Sequence, residues 1–204
     1  MIRFASTGNE STGKSAVLNA VFRTRFRVDA RARSTAFPAR ETVRHGNSEI
    51  EVIDSPPLTM RVGKLEADAY LLVCDKDLTE PEYEEALRIC RAGRALGVVL
   101  NKIDTYSTSH RVELLQHIQA RLHGYVPGVR IVQCAADPVR VVYQQCPDGT
   151  TIETFVPMEP DIRELELLVH EMILEAENSF RVRTRELANR TSSRVSTFLR
   201  ERLR

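Results

Sequence analysis

Eight residues near the N-terminus, Gly8-Asn9-Glu10-Ser11-Thr12-Gly13-Lys14-Ser15, have the spacing G-x-x-x-x-G-K-[ST] of a phosphate-binding loop. In such a loop successive backbone N–H groups curl around a polyphosphate, and the positive end of the following helix lies beneath it. Lys14 would reach the outer phosphates as a point charge, and the Ser15 hydroxyl would sit on Mg²⁺. The expected contact set is Gly8, Glu10, Ser11, Thr12, Gly13, Lys14, Ser15 and Ala16.

Two further motifs and a third position extend the chemistry. Asp54-Ser55-Pro56 supplies an acidic residue that could hold Mg²⁺, usually through water. Asn101-Lys102-Ile103-Asp104 has the form N-K-x-D. A carboxylate there accepts both the ring N–H and the exocyclic amine of guanine, a pair that adenine does not present in that arrangement. Asn101 and Lys102 would support the loop and the base face. Cys134-Ala135-Ala136 lies where a backbone N–H can donate to the guanine O6. An isolated N-K-x-D is weak evidence, but the three signals in this order on strand ends form a specific set.

The elements that must position these residues follow from the apolar pattern. Ile2 to Thr7 reads as a short strand, and Ala16 to Phe22 carries apolar residues at helical spacing. Arg40 to Gly46 and Glu49 to Asp54 alternate around Gly46-Asn47-Ser48, predicting a β-hairpin. Ala69 to Cys74 and Leu96 to Leu100 are nearly continuous apolar runs, as in parallel strands covered on both faces. Between them Tyr83, Leu87 and Cys90 predict a helix stripe. Leu115, Ile118 and Leu122 predict another, and Val129 to Cys134 the next strand. The alternation indicates an α/β fold, a doubly wound and mostly parallel sheet with one antiparallel hairpin, whose ligands bind beyond the carboxyl ends of the strands. Val139–Tyr143 and Thr151–Val156 flank the turn Pro147-Asp148-Gly149, predicting an extra hairpin over 139–156 that decorates an edge. Asp161 and Glu164 then open a helix carried by Ile162, Leu165, Leu168, Val169 and Met172.

Bulk composition narrows the class. The chain has 204 residues, 42% hydrophobic and 28% charged, which suits one domain with an appendage. Residues 178–204 hold eight Arg against Glu186 and Glu201, so a basic tail follows an acidic body despite a net charge of +1. The expected division is a nucleotide-binding domain over 1–177 and a basic amphipathic helical tail over 178–204. No stretch approaches the length of a membrane span and no signal-type segment opens the chain, so a cytoplasmic protein is expected. The four cysteines lack C-x-x-C spacing, and Cys74 and Cys134 read as buried thiols. The five histidines form no metal-ligand pattern.

Residues 1 to about 177 resemble the translation-factor-related GTPases, and within them the Era-like group. Asp77–Tyr83, Leu100–Tyr106 and Ala135–Arg140 are similar to the G domains of an uncharacterised bacterial family that often precede a hydrophobic C-terminal domain. The resemblance implies a GTP/GDP- and Mg²⁺-binding switch with GTPase activity. It also implies Thr35 of the pair Ser34-Thr35 as the residue that closes over Mg²⁺ when the γ-phosphate is present. The catalytic pair is then Lys14 and Thr35, with Ser15, Thr35 and Asp54 around the metal. Asn101, Lys102, Asp104, Ala135 and Ala136 would hold the base.

One departure bears on turnover. Where this family has D-x-x-G, position 57 is proline, which has no N–H to give the γ-phosphate. Leu58 follows, so no glutamine is available there to orient water, and Ser11 replaces a potassium-binding asparagine. The expected function is a slow Mg²⁺-dependent GTPase. The alternatives are a non-hydrolysing G-fold interaction module or a dynamin-like membrane-associated GTPase. For the tail, Val195, Phe198, Leu199 and Leu203 share a helical face. That face would pack on its own domain, dock a protein partner, or make a peripheral membrane contact. No specific nucleic-acid module is present in the sequence, and the oligomeric state is not indicated.

Overall fold

The apolar runs of the sequence become the centre of a six-stranded sheet. The computed structural model describes residues 1–28, 37–46, 48–60, 63, 65–126, 128–146, 150–179 and 181–182. Strands β1 (Ile2–Thr7), β4 (Ala69–Cys74) and β5 (Ala95–Leu100) form the middle, flanked by β3 (Ser48–Asp54) and β6 (Arg130–Gln133). The order is β2-β3-β1-β4-β5-β6, with β2 (Ala39–His45) the antiparallel partner of β3 and every other pairing parallel.

Successive side chains of a strand point to opposite faces, so a fully apolar strand needs a cover on each. In β4, Ala69, Leu71 and Val73 belong to one core, and Tyr70, Leu72 and Cys74 to the other. The first core is closed by α1 (Lys14–Phe22) and by α4 (residues 163–179), through Leu165, Leu168, Val169 and Met172. The second is closed by α2 (Glu80–Arg91) and α3 (Thr108–Leu122). On α3 the deepest side chains are Leu114, Ile118 and Leu122, with Leu115 half-buried beside them. On α2 the expected stripe Tyr83, Leu87 and Cys90 is only half-buried. The inward face is Glu82, Glu85, Ala86 and Ile89. A periodicity count treats carboxylates as outward-facing, and here two of them face in because each has polar partners.

Strands β7 (Val139–Gln145) and β8 (Thr151–Pro157) pair with each other and form a separate two-stranded sheet. Every residue of both strands is exposed, including Tyr143 at 68% and Phe155 at 61%. The hairpin expected over 139–156 is therefore present, but it joins neither edge of the main sheet. At its root Ala135 and Asp161 exchange backbone hydrogen bonds of 2.9 Å each way, and Met158 N–H donates to the Pro138 carbonyl at 2.8 Å.

Helix α4 runs without a break through residue 179, so the boundary expected at 177 falls inside it. The remainder of the tail from residue 183, with Val195, Phe198, Leu199 and Leu203, lies outside the described residues, as does Thr35. Among the described residues no helix is long and apolar enough to cross a membrane.

The seat of α4 on the sheet depends on one missing side chain. A Cβ at Gly97 of β5 would stand 2.8 Å from Leu168 Cδ2 and 2.9 Å from Met172 Sδ. Gly97→Val should therefore destabilise the protein by about 1–3 kcal/mol, the usual cost of overpacking a core. Urea unfolding of the two proteins measures it. An unchanged midpoint would mean that α4 does not rest on β5.

Candidate functional site

The polar residues that end β1, β3, β4, β5 and β6 converge on one edge of the sheet, as ligand sites in doubly wound folds do. The loop from Gly8 to Lys14 has two glycines in backbone conformations that side chains rarely adopt, φ +141° at Gly8 and +88° at Gly13. Space forbids a side chain at both. A Cβ on Gly8 would run into the Val73 carbonyl, and one on Gly13 into the Asn101 amide. Ser11 is also left-handed, at φ +61°, and Glu10 beside it is exposed. Gly13 is the N-cap of α1 and offers no side-chain oxygen, so the first N–H groups of that helix stay available to an anion. Thr12 and Ala16 are buried beneath the loop.

Lys14 is 7% exposed, and its Nζ donates to the Asn9 carbonyl at 2.5 Å. Burial pushes its pKa down, against the opposing pull of Asp54, Glu82 and Glu10. Asp54, at the end of β3, is 2% exposed. It accepts from Ser15 Oγ at 2.6 Å and from Ser6 Oγ at 3.2 Å. Its pKa is raised, first by burial, with the Ser15 hydrogen bond, Lys14 and the Ser6 hydrogen bond acting the other way. Ser15 and Asp54 thus meet as an all-oxygen pair beside the phosphate loop, the hard donor chemistry that suits Mg²⁺.

The Asn101–Asp104 loop is tied to the Gly8–Ser15 loop by two side chains, Asn101 and Lys102. Asn101, 2% exposed, donates from Nδ2 to the Thr12 carbonyl at 3.0 Å. Its Oδ1 accepts from Ala136 N–H at 3.2 Å and from the Cys134 thiol at 3.3 Å. Lys102, left-handed at φ +60°, donates from Nζ to the Ser11 carbonyl and to Asp75 Oδ2, the latter at 2.9 Å. Asp104 lies in the short 3-10 turn Ile103–Thr105 and is exposed. Ala135 and Ala136 are buried, and the Ala135 N–H is already donated to the Asp161 carbonyl. The Ala136 N–H is likewise donated, to Asn101 Oδ1, and so stands beside the Asn101–Asp104 loop. Cys74 and Cys134 are free and buried, and burial raises both thiols, Cys134 to about 12.

The segment after Asp54 folds over the phosphate loop. Pro56 and Pro57 are buried, and Leu58 N–H donates to the Gly8 carbonyl at 3.2 Å. The first backbone donor after the double proline is thus engaged by the loop itself.

Residues 3–102 match the family described as 50S ribosome-binding GTPase. The fold is that of a P-loop G domain, and the family match lies within it. No curated protein matches the sequence. Among solved structures the G domain is similar to a bacterial selenocysteine-specific elongation factor, at 16% identity and TM-score 0.54, over 78% of this chain and 34% of that one. It is similar to Aquifex aeolicus Era bound to GDP·AlF₄⁻, at 21% identity and TM-score 0.53, over 67% of this chain and 52% of that one. Era in complex with MgGDPNP and a segment of 16S ribosomal RNA matches at 22% identity and TM-score 0.54, over 66% of this chain and 51% of that one. The chain thus spans one third to about half the length of these proteins, and at such identities the likeness establishes the fold alone.

Sequence motifs located Gly8, Lys14, Ser15, Asp54, Asn101, Lys102 and Asp104 on this edge. They missed Ser6, Asn9, Asp75, Thr79 and Glu82. For the last pair a signal existed, since Thr79-x-x-Glu82 has the spacing of a helix capping box.

The raised pKa of Asp54 makes a stability prediction for the ligand-free G domain. A carboxyl raised by folding stabilises most below its unfolded pKa, and that contribution is lost as pH rises through the folded value. Asp54→Asn removes this loss, so at about pH 7 the variant should be more stable than the wild type by about 1 kcal/mol. The gap should narrow as pH falls toward about 4. Thermal melts across that range test it; a variant less stable at neutral pH, or a gap independent of pH, would contradict the account.

Proposed function

We propose that the chain binds GTP and GDP with Mg²⁺ and hydrolyses GTP slowly as a molecular switch. The observation that carries this reading is the Asn101 amide, which joins the Gly8–Ser15 loop to the Asn101–Asp104 loop at hydrogen-bond distance. Two recognition elements linked in this way suit a ligand with a polyphosphate at one end and a guanine at the other. Asp104 would accept the two guanine donors, and Ala136 N–H would serve O6.

Hydrolysis is the in-line attack of water on the γ-phosphorus, with the bridging oxygen leaving on GDP. In the transition state charge spreads over the γ-oxygens and the leaving oxygen. Lys14, already desolvated and aligned by the Asn9 carbonyl, would neutralise part of it without reorganising. The N–H groups of residues 11–15 would donate to the β-phosphate side. Ser15 and Asp54 are the residues that would hold Mg²⁺, which supplies charge neutralisation across the outer phosphates when bound. Thr35 is assigned to the same ion by resemblance. The basic segment 178–204 is assigned to a protein partner or an anionic surface, in a cytoplasmic setting.

A second reading has its own support. Pro57 has no N–H, and the neighbouring Leu58 N–H is donated to Gly8. A G fold that binds nucleotide but does not turn it over would have this arrangement. Single-turnover hydrolysis of GTP separates the two readings.

Base specificity should rest on Asp104. Asp104→Asn should weaken GTP binding by about 2–5 kcal/mol, as when one partner of a buried charged hydrogen-bond pair is lost. It should also move preference toward xanthosine nucleotides, which present an acceptor in place of the amine. Competition binding with GTP, XTP and ATP reads both effects, and a wild type that accepts ATP equally would defeat the guanine assignment.

Discrimination between GTP and GDP should be blunted. A charge-assisted hydrogen bond to the γ-phosphate is worth about 1.5–3 kcal/mol, and position 57 cannot donate it. Dissociation constants for GDP and a non-hydrolysable GTP analogue should therefore lie within about tenfold of each other. Pro57→Gly restores a donor and backbone freedom, and should widen the ratio in favour of the analogue. A hundredfold preference in the wild type, or an unchanged ratio in the glycine variant, would mean that another donor senses the third phosphate.

A further inference from the structure

Helix α2 holds a buried carboxylate that its own cap does not explain. Glu82 is 1% exposed, and among the described residues no cation is salt-bridged to it. One oxygen, Oε2, accepts from Thr79 N–H at 2.9 Å and from Thr79 Oγ1 at 2.8 Å, which completes the helix start. Capping needs no more than that, and it needs no burial. Helix α3 on the same face begins with exposed Ser107, whose hydroxyl accepts from His110 N–H with no carboxylate involved. A carboxylate taken out of water without a salt bridge is costly, so its second oxygen should have a use.

That oxygen reaches the phosphate loop. Glu82 Oε1 accepts from Asn9 N–H at 3.2 Å, across 73 positions of sequence. The Asn9 side chain is held by the same helix start, with Nδ2 donating to Thr79 Oγ1 at 2.8 Å. Asn9 is thus gripped at backbone and side chain, which fixes the direction of its carbonyl. The carbonyl in turn accepts from Lys14 Nζ at 2.5 Å and from Thr12 Oγ1 at 3.2 Å. The chain of contacts runs from α2 through one loop residue to the ammonium that faces the outer phosphates. Glu82 is also among the acids whose field acts on Lys14.

We propose that Glu82 is a positioning residue for the phosphate site: by fixing Asn9 it aims the Lys14 ammonium, so affinity for the β- and γ-phosphates depends on helix α2. The inference rests on the guanine-nucleotide reading above and names a residue that the motifs of that reading do not contain. Its signature differs from that of a stability defect. A misaimed Lys14 weakens contacts beyond the α-phosphate and leaves the base and α-phosphate contacts alone.

The test is the ratio of GDP to GMP affinity in the full chain. Glu82→Gln cannot accept from Thr79 and Asn9 together with two oxygens, and Glu82→Asp keeps the charge on an arm too short to span both. Each should lower the ratio by at least about tenfold, mostly through weaker GDP binding. Ile89→Ala, a cavity in the buried face of the same helix, should lower the melting temperature and leave the ratio unchanged. Because Glu82→Asp retains a buried acid, it stands in if Glu82→Gln does not fold. An unchanged ratio in a folded Glu82 variant would overturn the proposal, as would an equal fall in Ile89→Ala. A wild type with no preference for GDP over GMP would overturn the nucleotide reading itself, and this inference with it. An unchanged ratio on a wild type that does prefer GDP overturns this inference alone.

Discussion

The site depends on the amide of Asn101. Its two ends meet three groups on two segments: the Thr12 carbonyl on one side, and the Ala136 N–H and Cys134 thiol on the other. Parallel strands make this possible, since β1, β5 and β6 all deliver their carboxyl ends to one edge. An amide suits the position because it donates and accepts at once, whereas a carboxylate would face the Thr12 carbonyl with no proton to give. The neighbouring Gly13 leaves room for it, because any side chain there would occupy the place of the amide nitrogen. The Gly8–Ser15 and Asn101–Asp104 loops are therefore one assembly, joined at the Asn101 amide and again where Lys102 donates to the Ser11 carbonyl.

Around that joint the chain buries charge with little direct ion pairing. Lys14 is held by a carbonyl, Asp54 by two hydroxyls, and Glu82 by a hydroxyl and two backbone amides. Among the described residues, Glu85 alone of the buried acids has a close cation, Arg88, which also lies 5.7 Å over the Tyr70 ring. Hydrogen bonds with neutral groups satisfy these charges without cancelling them. The positive field of Lys14 is left for the place where phosphate charge would sit, and the negative field of Asp54 for a cation beside Ser15. The fold carries this at some cost to its own stability.

Much of this was legible in the sequence. The runs Ala69–Cys74 and Leu96–Leu100 had to be covered on both faces, which fixes helices on each side of a parallel sheet. Motif spacing located the two loops, and Pro147-Asp148-Gly149 announced the hairpin. What could not be read was the inward face of α2. Tyr83, Leu87 and Cys90 have the periodicity of a core stripe, yet the face that packs contains Glu82 and Glu85. Their burial depends on partners such as Asn9 and Thr7, more than seventy residues away, and local patterning holds no trace of that distance. Likewise, local patterning gave no sign that β7 and β8 would pair with each other in a sheet of their own.

The backbone bridge between Ala135 and Asp161 has a consequence for modularity. It brings the two ends of the hairpin segment side by side, directly after β6 and before α4. The chain can leave and return through this gate without the sheet registering what lies between. Closing a longer excursion costs only logarithmically more entropy, so the gate places little restriction on its length. The position is therefore a graft point: the hairpin between Pro138 and Met158, which lies beyond the Ala136 contact to Asn101, can be shortened, lengthened or exchanged. The two nucleotide loops and the sheet beneath them need no redesign to carry it.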